Sequence, residues 1–431
     1  MREIGILGGG IAGLSLAYFI GEHAEVLEKS SRSGGLCRSF EKDGFTFDLG
    51  GHILFSKDAE ILDFELSLLS GKLNKLQRRA ACWFKDRFVK YPFENGLSEL
   101  DKDDAYNCLI HFLSNPQRPQ HNFEDWLYNT FGKGLADLYL LPYNKKIWKT
   151  DPKAMDCQWV ERIPKPPMED VVKAALGIET EGYKHQLHFY YPKEGGFETL
   201  PRTLEENING RITREFAIKS IYKTGSNWIV TNGQEERRYN KLICAMPIFE
   251  LLNCLPNVPS EVMHASEKLA FNSLSVVMLG LNRPRRHELV SCFFPQSDII
   301  FHRLVFGDYF GKNYVPSGAS SLICEITSKH GDEIWKMPEA ELTARVVDDL
   351  EREGFLEKSD LTTTAVQRAK YAYPVYDLGR SKNLSIIEEY CKELDIELCG
   401  RFAQFRYDNS DQVMRSAKSV AEKVLAKQEV N

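Results

Sequence analysis

Apolar and polar positions follow three rhythms along this chain. It opens with a short apolar run, Ile4–Leu7, then a glycine-rich stretch, a longer apolar run from Leu14 to Ile20 and a second short run from Ala24 to Leu27. That order predicts strand, tight turn, helix and strand. Residues 59–76 carry Ile61, Leu62, Phe64, Leu66, Leu68, Leu69 and Leu73, a pattern that predicts a helix. Residues 78–93 read as extended, and residues 97–140 as helices with their clearest faces at 123–127 and 134–139. Pro164, Pro166 and Pro167 interrupt the pattern, after which residues 186–192 alternate toward Pro192-Lys193-Glu194-Gly195-Gly196-Phe197. A helix and short strands are expected over 199–247, and strands of an antiparallel sheet over 272–310 and 320–328. Helices are expected over 338–354, 384–397 and about 410–427.

The first stretch carries chemistry. Gly8-Gly9-Gly10-Ile11-Ala12-Gly13 joins the first strand to the helix, and Glu28 ends the second strand twenty residues after Gly8. This is the arrangement that grips a dinucleotide. Gly8 allows the turn, Gly10 lets backbone approach a pyrophosphate, and Gly13 lets helix and strand pack closely. The free N–H groups and positive dipole end of the helix face the phosphates, while Glu28 can accept hydrogen bonds from a ribose diol.

The 431 residues are enough for two or three domains, and 43% hydrophobic with 27% charged residues is an ordinary globular balance. A net charge of −6 leaves no nucleic-acid footprint. Ten cysteines are scattered without CxxC pairs, which predicts reduced thiols, a cytoplasmic setting and no structural metal. Residues 4–20 are uncharged, but five glycines within them argue against a signal or membrane segment, and no later stretch is apolar enough to span a bilayer. His185 and His188 lack an acidic or cysteine partner, and Lys145-Lys146 and Arg283-Pro284-Arg285-Arg286 read as solvated turns.

After Glu28 comes Lys29-Ser30-Ser31-Arg32-Ser33-Gly34-Gly35-Leu36-Cys37-Arg38, and later Phe47-Asp48-Leu49-Gly50-Gly51-His52. These blocks resemble the FAD signature of amine-oxidase-like flavoproteins. The resemblance implies cofactor contacts at Ile11, Ala12, Lys29, Gly34, Gly35, Leu36 and Arg38, with Gly50, Gly51 and His52 beside the isoalloxazine. Three further blocks, Tyr91-Pro92-Phe93-Glu94-Asn95, Pro142-Tyr143-Asn144-Lys145-Lys146-Ile147-Trp148 and Gly400-Arg401-Phe402-Ala403-Gln404-Phe405-Arg406-Tyr407, resemble UDP-galactopyranose mutases, closest to the eukaryotic type. The resemblance runs in order over nearly the whole chain.

It implies an α/β fold with a discontinuous Rossmann-like FAD domain (1–56, 199–260 and 384–431), an inserted, mostly helical segment (57–160), and sheet segments of a substrate domain (161–198 and 261–383). It also implies an isomerase in which reduced flavin N5 acts as nucleophile at the anomeric carbon of a nucleoside-diphosphate sugar, with NAD(P)H as a reductant, in the supply of sugars for cell-surface polysaccharide. The residues it would assign are His52, Arg162 and Arg303 for catalysis, the two arginines gripping the diphosphate. Tyr91, Asn144, Trp148, Gln186, Phe293, Tyr309, Tyr373 and Tyr407 would line the nucleotide-sugar site. Arg401, Asp411 and Gln412 would touch the flavin end. An arginine fork reads phosphate bidentately, and tyrosine hydroxyls add neutral donors. A homo-oligomer is compatible with the sequence.

The chain departs from that pattern at Glu94, where glutamine is usual, at Gln186 and Asp411, which replace asparagines, and in Ser291-Cys292-Phe293-Phe294-Pro295, which lacks a tryptophan and a tyrosine. Diphosphate recognition is therefore retained better than base and sugar recognition. The alternatives are an FAD-dependent oxidoreductase of the amine oxidase or protoporphyrinogen oxidase kind, and a non-catalytic flavin- or nucleotide-binding protein. Singly, Tyr91, Trp148 and Tyr373 could be core aromatics, Arg162 and Arg303 salt-bridge partners, and His52 structural.

Overall fold

Five parallel strands from distant parts of the chain build the first layer. In the computed structural model, which describes residues 3–160, 163, 165–181 and 187–429, their order is Ile396–Leu398, Lys241–Cys244, Ile4–Leu7, Ala24–Leu27, Ile212–Thr213. Each neighbouring pair is parallel. The central strand, Ile4–Leu7, is buried along its whole length, as expected of a parallel strand covered on both faces. The helix Ile11–Ile20 crosses one face, with Ala12, Leu14, Leu16, Ala17 and Ile20 buried. A Cβ on Gly13 would lie 1.9 Å from the Gly8 carbonyl oxygen, so only glycine lets this helix start so close to the strand. The C-terminal helix Ser410–Glu429 packs against it.

The helix expected over 59–76 is shorter, Ala59–Leu68, capped by the Asp58 side chain accepting from Ile61 N at 3.3 Å. Gly71, with φ +77°, turns the chain, and Leu73–Gln77 is a strand paired antiparallel with His188–Pro192. Leucines at helical spacing were outweighed there by a turn residue and a distant pairing partner. The mostly helical segment holds two more strands within 78–93, the stretch read as extended: Ala80–Phe84 and Arg87–Lys90, joined by Lys85 and Asp86 at positive φ, a two-residue hairpin turn. Its helices are Lys102–Leu113, Phe123–Leu135 and Leu141–Trp148.

The second layer is a seven-stranded sheet, ordered Leu361–Pro374, Phe271–Leu281, Ser320–Lys329, Arg303–Phe306, Ser291–Phe293, Ala80–Phe84, Arg87–Lys90. All pairs are antiparallel except Ser291–Phe293 with Ala80–Phe84. One face buries Val277, Leu279, Leu304, Cys324 and Ile326 against Leu342, Val346 and Leu350 of the helix Glu339–Arg352. The opposite face looks into the main core, and several of the candidate site residues lie there.

Candidate active site

The cofactor crevice forms where two glycine turns meet. Gly34 N donates to Gly9 O at 2.8 Å, and a Cβ on Gly35 would lie 3.3 Å from the Gly10 Cα. Glu28 is fixed by Gly9 N (2.7 Å, Oε2) and Ser30 N (2.8 Å, Oε1), which places a carboxylate at the end of the second strand, where a ribose would bind. Gly10 N-caps the helix without a side-chain cap bond, and a Cβ there would meet nothing within 4 Å. Uncapped N–H groups facing open space are the donor set a pyrophosphate needs. Ile11 and Ala12 open this helix, and Gly400 closes against Ala12 (2.7 Å from a built Cβ). Arg38 Nε donates to Gly35 O at 3.0 Å; Leu36 is half-buried and Lys29 exposed. These residues fit FAD.

The loop that follows the strand Phe45–Asp48 is pinned along its length. Gly51 N donates to Glu325 Oε1 at 2.7 Å, Leu54 exchanges backbone hydrogen bonds with Tyr190, and Ser56 Oγ donates to Asp411 Oδ2 at 2.7 Å. Gln412 accepts from Asn409 N at 3.0 Å at the start of the C-terminal helix. The Nδ1 of His52 lies 3.1 Å from Gly50 O. Burial, then the nearby charges of Arg303 and Arg401, push its imidazole down to about 4, so it is neutral at physiological pH.

The sheet brings the next set together by register. Val89, Cys82, Phe293, Arg303, Glu325, Val276 and Gln367 form one transverse row across all seven strands, so their side chains share one face. Arg303 meets Glu325 Oε1 through Nε at 2.8 Å and Nη2 at 2.5 Å. Glu325 is wholly buried, and Tyr373 Oη lies 3.5 Å from its other oxygen. Burial works against the charge of Arg303, but Glu325, with Tyr373 and Tyr143, outweighs it and holds the guanidinium protonated. Arg303 is thus the salt-bridge partner considered above, yet its side chain remains 26% exposed.

Aromatic side chains line both ends of this row. Tyr91 stacks on Phe293 at 4.5 Å between centroids, and Tyr143 meets Phe293 edge-on at 5.8 Å. On the other side Trp148 packs against Tyr407 (5.4 Å) and Tyr373 (6.3 Å), and the Arg401 guanidinium sits 4.5 Å from the Tyr407 ring and 5.3 Å from the Tyr373 ring. Asn144 accepts from Trp148 Nε1 at 3.2 Å and donates to Leu140 O at 2.8 Å, so it orients the tryptophan. Glu94 is buried, which pushes its carboxyl up to about 7.

Two expected residues, Arg162 and Gln186, lie outside the described residues. Tyr309 is not brought to the cluster. The turn after the strand Arg303–Phe306 carries it to Gln77, whose carbonyl accepts from its hydroxyl at 2.8 Å, with Arg285 over its ring at 5.3 Å. Glu325 and Tyr143 escaped assignment from the sequence. A lone acid in the otherwise apolar Ile323-Cys324-Glu325-Ile326 was the available signal for the first. Among the described residues no group of three His, Cys, Asp or Glu could hold a metal ion, and no helix is long and apolar enough to cross a membrane.

The profile of the flavin containing amine oxidoreductases matches residues 11–385. The chain belongs to that family. A zeta-carotene-forming phytoene desaturase of Myxococcus xanthus is 23% identical over 356 residues, 72% of this chain and 64% of the desaturase. An all-trans-retinol 13,14-reductase of Danio rerio is 40% identical over 52 residues, 11% of this chain and 9% of the reductase. The chain therefore spans less than two thirds of the length of these relatives. Among solved structures, a reduced UDP-galactopyranose mutase superposes with a TM-score of 0.91 at 26% identity, covering 99% of this chain and 96% of the mutase. A putative protoporphyrinogen oxidase from Exiguobacterium sp. 255-15 gives 0.77 at 18% identity, covering 99% of both chains, a likeness of fold.

Proposed function

We propose that this flavoenzyme is a nucleotide-sugar mutase that interconverts the pyranose and furanose forms of a nucleoside-diphosphate sugar, with no net redox change. The observation that carries this reading is Arg303, held charged by a buried Glu325, between an aromatic slot and the loop bearing His52. A diphosphate needs such a cation, whereas a hydrophobic amine or porphyrin substrate does not. The likeness to a UDP-galactopyranose mutase over nearly the full length of both chains supports the same reading.

Bound FAD, once reduced, supplies a nucleophilic ring nitrogen; NAD(P)H is the proposed reductant. The protein's own part is to bind and orient. Arg303 meets the diphosphate and stabilises negative charge as it departs from the sugar. The Tyr373 and Tyr407 hydroxyls add neutral donors, and Arg401 under both rings fixes their planes. Tyr91 and Phe293 offer the stacking surface for the base, with Tyr143 at its edge. Arg162 is the proposed second diphosphate arginine. Glu94, where a glutamine is usual, is the proposed reason for a changed base preference.

The test is titration of the oxidised and reduced protein with UDP and other nucleoside diphosphates, followed by flavin absorbance. Charge-assisted hydrogen bonds contribute roughly 1.5–3 kcal/mol, so Arg303→Ala should weaken binding about tenfold to a hundredfold. Arg303→Lys should recover part of it, because lysine cannot reproduce the fork. Unchanged affinity in Arg303→Ala with FAD still bound removes Arg303 from the site. If no nucleoside diphosphate binds the wild type, an oxidoreductase of the amine oxidase or protoporphyrinogen oxidase kind becomes the better reading, which the family membership also accommodates.

A further inference from the structure

The Gly195-Gly196-Phe197 turn plays no part in the scheme above, yet it closes on the loop that bears His52. Phe197 is 1% exposed, and its ring lies nearly parallel to the His52 imidazole, 4.9 Å between centroids at 26°. Its backbone N–H donates at 3.0 Å to Oδ1 of Asp48, four residues before His52. The same oxygen accepts from Ser39 Oγ at 2.7 Å, and Asp48 Oδ2 accepts from the Tyr191 hydroxyl. The turn is clamped again by Glu198, whose N–H donates to Ser39 Oγ at 3.1 Å and whose carboxylate accepts from Ser39 N at 2.7 Å.

The backbone there admits no other course. Gly195 and Gly196 have φ of +74° and +68°, and a Cβ on Gly196 would lie 2.0 Å from Ser39 Oγ and 2.7 Å from Asp48 Oδ1. The carboxylate of Asp48 is therefore surrounded by three donors at a contact that only glycine permits, and the next residue along presents its ring to His52.

We propose that Phe197, clamped by Asp48 through the Gly195–Gly196 turn, is a positioning residue that fixes the His52 imidazole against the cofactor crevice. The inference rests on the reading of His52 as the residue beside the flavin. The ring covers one face of the half-buried imidazole. The other groups that face His52 are the Gly50 carbonyl, at 3.1 Å, and the charges of Arg303 and Arg401. With one face covered by the ring and two cations near, the half-buried imidazole stays neutral, in one orientation set by Gly50.

The experiment is carried out on the FAD-loaded protein. Histidine ring signals are recorded by proton–carbon NMR across pH 5–8, and the His52 signal is assigned as the one absent from His52→Gln. In wild type it should not titrate over that range. In Phe197→Leu, which keeps the Asp48 hydrogen bond to the backbone, the covered face of the imidazole opens to water and the signal should titrate toward the ordinary imidazole value of 6.5. Asp48→Asn should move it in the same direction, and Phe197→Tyr, which keeps the ring, should match wild type. Turnover of a nucleotide sugar should fall about tenfold in Phe197→Leu with KM little changed, since the diphosphate grip is untouched. A His52 signal in Phe197→Leu that stays silent like wild type overturns the proposal, even if the variant is less stable. The NMR arm needs only the flavoprotein, so it stands whether or not nucleotide sugars prove to be the substrates.

Discussion

Glu65 is buried in the helix Ala59–Leu68 with 0% exposure, and neither carboxylate oxygen has a hydrogen-bond partner among the described residues. Burial, aided by the nearby Asp411, pushes its pKa from the ordinary 4.5 up to about 8. The folded-state value lies above the unfolded one. Below pH 4.5 the group is protonated in both states and imposes no pH-dependent penalty. As pH rises toward 8 the unfolded chain ionises while the folded one cannot, so stability is lost, and above 8 the loss levels off. Each pH unit costs about 1.36 kcal/mol, or about 3 kcal/mol between pH 5 and pH 7. Glu65→Met removes the carboxyl at nearly constant length. For a chain of 431 residues, 1 kcal/mol corresponds to about 1 °C in Tm. The variant should gain about 3 °C on wild type between pH 5 and pH 7, followed by thermal unfolding of the FAD-loaded proteins. Parallel Tm–pH curves, or a variant less stable than wild type at pH 7, would refute the reasoning, because Glu65 would then have a partner.

Purified protein should be yellow and should release FAD on denaturation; Glu28→Ala, which removes the carboxylate bound by Gly9 and Ser30, should lower FAD affinity, measured by reconstitution of the apoprotein. Glu325→Gln should weaken the Arg303 ion pair and the Gly51 hydrogen bond together, lowering both Tm and nucleotide affinity in differential scanning and absorbance titration. Glu94, with its carboxyl near 7, can donate only while protonated. UDP affinity should therefore fall as pH rises through 7, and Glu94→Gln should flatten that dependence in the same titration.

The nucleotide-binding unit was legible because its constraints are local. Gly8, Gly13 and Glu28 act within one strand–helix–strand unit, and the structure places each where the spacing requires. The candidate substrate face was legible only in part. Arg303, Tyr373 and Tyr407 were found through resemblance, but Glu325 meets Arg303 by register across a sheet, which spacing along the chain does not record. The parallel pairing that draws Ala80–Phe84 beside Ser291–Phe293 is equally long-range. The strand Leu361–Pro374 was not recognised, since its Thr-rich start lacks a clean apolar alternation and half of its residues are only half-buried. Tyr309 lies six residues after Arg303, and the turn at Gly307–Phe310 carries its hydroxyl to the Gln77 carbonyl rather than to the Arg303–Glu325 pair.

The central claim is that the chain changes the ring form of a nucleotide sugar without consuming reductant. Its most direct test follows the anomeric signals of UDP-galactopyranose by NMR with the protein's flavin held reduced under anaerobic conditions, alongside the oxidised protein. The account predicts furanose signals growing to equilibrium with the reduced protein only, with one reduction of the flavin serving many turnovers. Absence of any ring interconversion across a panel of nucleotide sugars, or turnover that consumes oxygen or NAD(P)H in step with product, would contradict it.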